Sequence, residues 1–466
     1  MHQTSRVLWI AGLLLSSFAG PGRAQVKVVG ADERFKADIL VVVAHPDDEG
    51  AVTPYLARAI YDLHKRVAVV YGTHGDSGGN NYGREHAAGL GDIREMEARE
   101  SCARMGIKNV WFLDGKDTAS QNVLNSLANW HHGASLERLV ELVRLTRPDV
   151  IITSLPGVFI GENHGDHQAA GVLATEAFDL AGNVVAFPSQ IAGASEHREI
   201  YLQNLQAWQV KKIYYWADAN DDKQFSGMGP AYSIKEVSPS QKKPYWRIAL
   251  DAATTHLTQY PADIERIQKM SDAEAEKMMS NPDAAWWTEP ETLIFGKSYY
   301  VSKATDDVFA NLKGEPNRCL EAYAKIQHPA TETIVKLAGP WGYHQSFREA
   351  HCLESLRVAD PPEIAVMSGG QVYIPLLVAH GSEKALKLQL KVEAPKDWKV
   401  TSGEGEIALP AEATSEIRVE VETPKLTASE LKANGPQEII VHAQADGASA
   451  GDIKLRVLLR SHGLPQ

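Results

Sequence analysis

Residues 38–44, DILVVVA, form a continuous β-branched run with no polar face. Such a run is stable as a strand only when apolar layers cover both of its sides, which calls for helices above and below a sheet. The next residues supply them. Leu56, Ile60 and Leu63 share one helical face over 54–64, with Pro54 in the first turn, where a missing N–H costs least. Residues 66–71 read as the next strand, 72–83 as a Gly/Asn-rich loop, 91–105 as a helix stopped at Gly106, and 110–113 as a strand. Leu136, Leu139, Val140 and Val143 then recur at helical spacing, Pro148 closes that helix, and 149–154 is again strand-like. This repetition predicts an α/β domain with a Rossmann-like, mostly parallel sheet and helices on both faces.

After Pro361-Pro362 the texture changes. Short runs at 372–378, 385–392, 417–421, 439–443 and 453–459, several alternating apolar with charged residues, predict a C-terminal antiparallel β-sandwich of about 100 residues. The expected organisation is a signal peptide over 1–24, an α/β domain over 25–358 and a sandwich over 359–466. Within the α/β domain the core spans about 37–262, followed by a helical and irregular extension over 263–358 that includes 264–279 as helix. Arg6, the apolar stretch 7–18 and Gly22-Arg23-Ala24 before Gln25 carry the signal-peptide reading. The stretch is shorter than the roughly 20 residues of a membrane span, and no later segment is apolar enough, so a periplasmic or extracellular protein is expected.

A net charge of −12, from 47 Lys and Arg against 59 Asp and Glu, with no dominant basic run, argues against nucleic acid as the main partner. Three cysteines without a C-x-x-C exclude a thiolate zinc site. Cys102 is expected as a buried apolar side chain, and Cys319 with Cys352 as a candidate disulfide. Trp398, Trp286 and Trp287 are expected in packing roles.

The chemistry sits at strand ends. His45-Pro46-Asp47-Asp48-Glu49 follows the first strand at its carboxyl end, where open α/β sheets form their ligand crevice. Three carboxylates there repel a pyrophosphate and attract a cation, which disfavours a dinucleotide. His164-Gly165-Asp166-His167 follows the strand 149–154 in the same way. Imidazole with carboxylate suits zinc, and iron(II) fits the same ligands. His45, Asp48 and one histidine of the second cluster make three protein ligands, leaving the fourth position to water as in catalytic zinc sites. Asp47 is then a candidate base for that water.

These residues resemble the PIG-L/LmbE family of zinc-dependent N-deacetylases, with its A-H-P-D-D-E and H-x-D-H motifs at Ala44–Glu49 and His164–His167. Thr73-His74-Gly75-Asp76, Arg94 with Glu97, Asp117, Arg147-Pro148-Asp149 and His256-Leu257-Thr258-Gln259 extend the resemblance over roughly 37–262. It implies His45, Asp48 and His167 as metal ligands and Asp47 as general base. It further implies a protonated His164 as oxyanion donor, oriented and kept charged by Asp166, with Arg94 and Asp117 contacting the sugar. Gly165 stands where relatives commonly have proline, which is expected to loosen that loop. Glu49 has no assigned role beyond favouring a helix N-terminus.

The implied reaction is hydrolysis of the acetamide of an N-acetylglucosamine-type sugar or glycoconjugate to acetate and a free amine. Two other readings stay open on the sequence: a zinc amidase for a non-sugar amide, and an exported glycan-binding protein with a degenerate catalytic domain. His45→Ala is expected to lose bound metal; a full metal complement in that variant, by elemental analysis, refutes the ligand assignment.

Overall fold

The computed structural model describes residues 31–157, 164–191, 199–217, 225–281, 287–317, 333–356, 360–380, 383–411, 414–464 and 466. Residues 1–24, Cys319 and Trp286, on which three of the expectations rest, lie outside the described residues.

The chain begins with β1 (Ile39–Val43), α1 (Thr53–Tyr61), β2 (Val67–Thr73), α2 (Ala88–Arg104) and β3 (Asn109–Gly115). It continues through α3 (Val123–Asn129), α4 (His132–Thr146), β4 (Val150–Ser154), α5 (Gly165–Leu180) and β5 (Lys212–Trp216). A two-stranded ribbon, β6 (Ala231–Tyr232) with β7 (Glu291–Thr292), brackets α6 (Tyr245–Ala253), α7 (Pro261–Lys269) and α8 (Asp272–Met279). The strand β8 (Ile294–Ser298) completes a six-stranded sheet of order β3-β2-β1-β4-β5-β8, parallel throughout except for β8.

The β-branched run behaves as its composition requires. All five residues of β1 are buried, and their side chains alternate between two cores. Leu40 and Val42 join Val70, Ile151 and residues of α4 and α5, whereas Ile39, Val41 and Val43 join Val69, Ile152 and residues of α1, α2 and α6. Because β1 lies between β2 and β4, strand order reverses beside it. The crevice beyond the carboxyl ends of β1 and β4 is the topological switch point. The helix expected over 264–279 is two helices, because Ser271 forms a capping box with Glu274 and starts α8 afresh.

The remainder of the chain runs through β9 (Thr333–Leu337), α9 (Gly339–Ala350), β10 (Glu363–Met367), β11 (Gln371–His380), β12 (Leu386–Glu393) and β13 (Lys399–Ser402). It ends with β14 (Gly405–Leu409), β15 (Thr414–Glu422), α10 (Ala428–Ala433), β16 (Gln437–Ala445) and β17 (Ala448–Arg460). Two sheets, β10-β17-β16-β12-β14 and β13-β15-β11-β9, make the sandwich, antiparallel but for the β10–β17 pair. Val372, Ile374, Leu376 and Val378 alternate inward along β11 against Leu388, Leu390, Val441 and Leu455.

The sandwich starts earlier than residue 359. β9 pairs with β11, and Val335 and Trp341 belong to the sandwich core. α9 spans both domains: Trp341 sits in one core, Phe347 in the other, and His344 Nε2 lies 2.8 Å from Gln168 Oε1 of α5. The proline pair at 361–362 therefore marks a turn within the unit and not its edge. Trp398 packs against the sandwich core as expected. Cys102 is a buried free thiol, and Cys352 is disulfide-bonded.

Candidate metal centre

The two strand ends converge. β1 and β4 run in register from Ile39 opposite Val150 to Val42 opposite Thr153, so the loops leaving the two strands emerge at one level. After β1 the chain turns through His45 into a 3-10 turn, Asp48–Val52, and Asp48 Oδ2 accepts the backbone N–H groups of His45 (2.7 Å) and Ala44 (3.0 Å). That pins one carboxylate oxygen and leaves Oδ1 3.2 Å from His167 Nε2, while His45 Nδ1 stands 3.4 Å from Oδ2. Donor atoms of His45, Asp48 and His167 all lie within 4.8 Å of one another.

This donor set fits a divalent cation. His45 Nε2 is buried without a well-aligned hydrogen bond, although it stands 3.4 Å from both Asp117 Oδ1 and Asp166 Oδ2. Burial favours a neutral His45 ring, yet the charge of Asp48 and the contacts with Asp117 and Asp166 outweigh it and hold its pKa well above the usual imidazole value. Burial likewise pushes Asp48 up, but His167 and His45 outweigh it and hold the carboxyl well below its usual range. A second grouping, His45 with His164 and Asp166, meets the same distance limit. A cavity of about 730 Å³ is lined by His45, Asp48, His164 and His167 but not by Asp166, so the first grouping is the one open to solvent and substrate.

Asp47 is held in a conformation it would not choose. Its φ of 119° is rare for a residue with a side chain and costs about 1–3 kcal/mol unless neighbours impose it. Here three contacts do so. Tyr260 Oη donates to Asp47 Oδ2 (2.7 Å), the Asp47 N–H donates to Glu49 Oε2 (3.1 Å), and Gln259 Nε2 donates to Pro46 O (2.5 Å). Burial, reinforced by the charge of Asp48, raises the Asp47 pKa to about 7, where a general base at neutral pH works best.

Glu49, unassigned from the sequence, anchors this arrangement. Its Oε1 accepts from Ser101 Oγ (2.8 Å) and lies 2.9 Å from His256 Nε2, and all three residues are buried. Burial pushes Glu49 up and His256 down, yet their mutual attraction reverses both, lowering the carboxyl and raising the imidazole. The pair's stabilisation is therefore lost as pH falls through the lowered Glu49 value or rises through the raised His256 value. His256 and Tyr260 both come from the segment after α6, where Thr258 also binds Glu97 (2.6 and 2.8 Å). The likeness of 256–259 to a family landmark pointed to this segment, but nothing in the sequence singled out Tyr260.

Three expectations are met differently. First, Asp166 meets His164 through its backbone. The backbone N–H of Asp166 donates to His164 Nδ1 (3.2 Å), which leaves the ring proton on Nε2. Burial, with the nearby charges of His45 and His167, lowers the His164 pKa to about 2. The Asp166 carboxylate meanwhile accepts from the Thr118 N–H (2.8 Å). Second, Arg94 braces the glycine loop, donating to Gly75 O (2.6 Å) and Gly79 O (2.9 Å) beside Gly75 at φ 66°, while still lining the cavity. Asp117 also lines it, with Oδ2 held by the Ser77 N–H (2.9 Å). Third, Gly165 ties the loop instead of loosening it. Its N–H donates to Ser120 O (2.7 Å), which a proline could not do, and a Cβ there would stand 2.8 Å from Ser126 Oγ. Trp287 lines the cavity and donates to Gly50 O (2.7 Å).

Glu49→Gln leaves His256 without its anion. Breaking a buried pair in this way typically costs about 3–5 kcal/mol, so a lower unfolding free energy in urea is expected at neutral pH, together with a lower kcat at unchanged metal content. Unaltered stability and kcat would remove Glu49 from this role.

Residues 40–178 match the family model described as PIG-L, GlcNAc-PI de-N-acetylase. The chain is 31% identical over 188 residues to a 1D-myo-inositol 2-acetamido-2-deoxy-alpha-D-glucopyranoside deacetylase 1 of Frankia alni, covering 37% of this chain and 59% of that relative. It is 26% identical over 218 residues to the corresponding deacetylase of Acidothermus cellulolyticus, covering 44% and 70%. Among solved structures, the N,N'-diacetylchitobiose deacetylase of Pyrococcus horikoshii is similar at 18% identity and a TM-score of 0.38, covering 56% of this chain and 84% of that one. The chain thus spans about three fifths of the Frankia relative, and the residues that match the PIG-L model, 40–178, carry both strand-end motifs.

Proposed function

We propose that this protein is a divalent-metal-dependent N-deacetylase that hydrolyses the acetamide of an N-acetylglucosamine-type sugar or glycoconjugate, releasing acetate and a free amine. The observation that carries the reading is the convergence of His45, Asp48 and His167 on the open side of a cavity that also holds Asp47 and His164. Zinc is the cation this donor chemistry favours, with iron(II) compatible. A cation held by these three residues supplies Lewis acidity and lowers the pKa of water from 15.7 to about 7.

The chain's own residues do the rest. Tyr260 occupies Asp47 Oδ2, so Oδ1 is the oxygen left to take a proton from the attacking water. The neutral His164 ring presents its Nε2–H to the carbonyl oxygen as negative charge develops there; loss of one such donor typically costs about 2.7–4 kcal/mol. Asp47 then returns its proton to the departing nitrogen, which is a poor leaving group as an anion. Arg94, by holding the glycine loop, and Asp117 shape the wall against which the sugar rests. The two arginines flanking the apolar stretch 7–18, together with the disulfide at Cys352, support export to an oxidising compartment.

Acetate release from N-acetylglucosamine-bearing glycans, glycolipids and glycoconjugates, with and without chelator, tests the reading. Release abolished by chelator and restored by zinc is expected; no release from any of them overturns it. Asp47→Asn is expected to keep its metal and lose about 10²–10⁴ in kcat. Because the Asp47 carboxyl must be ionised to act as base, wild-type kcat/KM is expected to fall as pH drops through its working value, at or below about 7 once a cation is bound. The same acid limb in the residual activity of Asp47→Asn would exclude Asp47 as the base.

A further inference from the structure

The sandwich contributes to the catalytic cavity. Beyond β17 the chain leaves the sandwich and crosses to the α/β domain, where Leu464 lines the same cavity as His45, Asp47 and His167. Ser461, His462 and Gly463 are exposed, whereas Leu464 is half-buried, so the chain dips inward at this residue.

Two amide side chains fix it there. Gln121, buried in the loop between β3 and α3, donates from Nε2 to Leu464 O (2.8 Å). The same side chain pairs with the backbone of Ala365 in β10, donating to its carbonyl (2.8 Å) and accepting its N–H at 3.1 Å. On the other side, Gln466 Oε1 accepts from the Tyr373 N–H (3.0 Å) and Gln466 Nε2 donates to Tyr373 O. That backbone is open because β9 pairs only with Leu376 to His380 of β11, leaving the edge at Tyr373 uncovered. The side chain of Gln466 closes the edge as a strand residue would. The chain around Leu464 is therefore held from both sides, by Gln121 at the Leu464 carbonyl and by Gln466 against β11.

We infer that Leu464 is a specificity-determining residue: it forms an apolar wall of the catalytic cavity for the unit that lies beyond the acetylated sugar, so that the sandwich takes part in choosing the substrate. The inference rests on the proposed deacetylase reading and extends it. A cavity of about 730 Å³ falls within the range that encloses drug-sized ligands, more than one N-acetylhexosamine requires. The wall stands on the β3 side, since Gln121 binds Leu464 and lies shortly after Asp117 and Ala119, which line the cavity too. An isobutyl group lining the same cavity as Asp117 offers a sugar what carbohydrate sites commonly pair: a carboxylate for hydroxyl groups and an apolar surface for the C–H face.

The test uses the full-length, zinc-loaded protein with N-acetylglucosamine and its β-1,4-linked dimer, N,N'-diacetylchitobiose, as probes. Leu464→Trp fills the wall and Leu464→Ala removes it, and thermal unfolding checks that both variants fold. The ratio of kcat/KM for the dimer to kcat/KM for the monomer is expected to fall at least tenfold in Leu464→Trp and about threefold in Leu464→Ala, through KM and not kcat. A ratio within twofold of wild type in both variants, with wild type active, overturns the role of Leu464 and leaves the deacetylase reading standing. A wild-type protein that releases acetate from neither probe, nor from any other N-acetylated glycan, overturns both.

Discussion

The site depends on one buried carboxylate being kept ionised. Asp48 sits where desolvation alone would protonate it, and two imidazoles and two backbone N–H groups hold it charged. The sheet makes this arrangement achievable. Only at the point where strand order reverses do two parallel strands deliver loops into one crevice, so His45 and Asp48 from one loop can meet His167 from the other. The two helix layers that bury β1 on both faces keep those loops from drifting apart. The resulting grouping of two imidazoles and a carboxylate is one that could hold a cation.

Contacts behind the His45, Asp48 and His167 cluster set neighbouring carboxyls apart. Asp47 and Asp48 are neighbours in the chain with opposite fates, one pushed up to about 7 and the other held well below its usual range. Adjacent carboxylates separate in this way only when their surroundings differ, and the difference is geometric. Asp48 turns back onto its own backbone, while the positive φ of Asp47 swings its side chain toward Tyr260. Glu49 makes that geometry durable by gripping the Asp47 N–H with one oxygen and His256 with the other. Three consecutive carboxyls thus meet three different surroundings.

The junction between domains is likewise part of the machine. α9 places one side chain in each core, Gln121 binds β10 and the segment around Leu464 together, and Lys297, Asp179 and His351 form a buried cluster linking β8, α5 and the end of α9. Charged groups taken so far from water need mutual contacts, and Lys297 finds them in Asp179 and the His351 carbonyl. The sandwich is tied to the α/β domain by packing and hydrogen bonds on several elements.

The amino-acid sequence alone determined the features that depend on local pattern. The β-branched run marked a strand covered on both faces, helical spacing marked α1 and α4, and the two polar clusters marked the crevice, because residue type and short-range periodicity encode burial directly. It also yielded His45, Asp48 and Asp47 as a chemical set. What only the tertiary structure decided were contacts between residues far apart in the chain: Glu49 with His256 across 207 positions, Asp47 with Tyr260 across 213, and Gln121 with Leu464 across 343. The lowered pKa of His164 belongs here as well, since burial causes it first and the two neighbouring imidazoles second. So does β9, which pairs with the edge of β11. No local pattern carries such information, because each of these interactions is created by packing and not by the residues on either side.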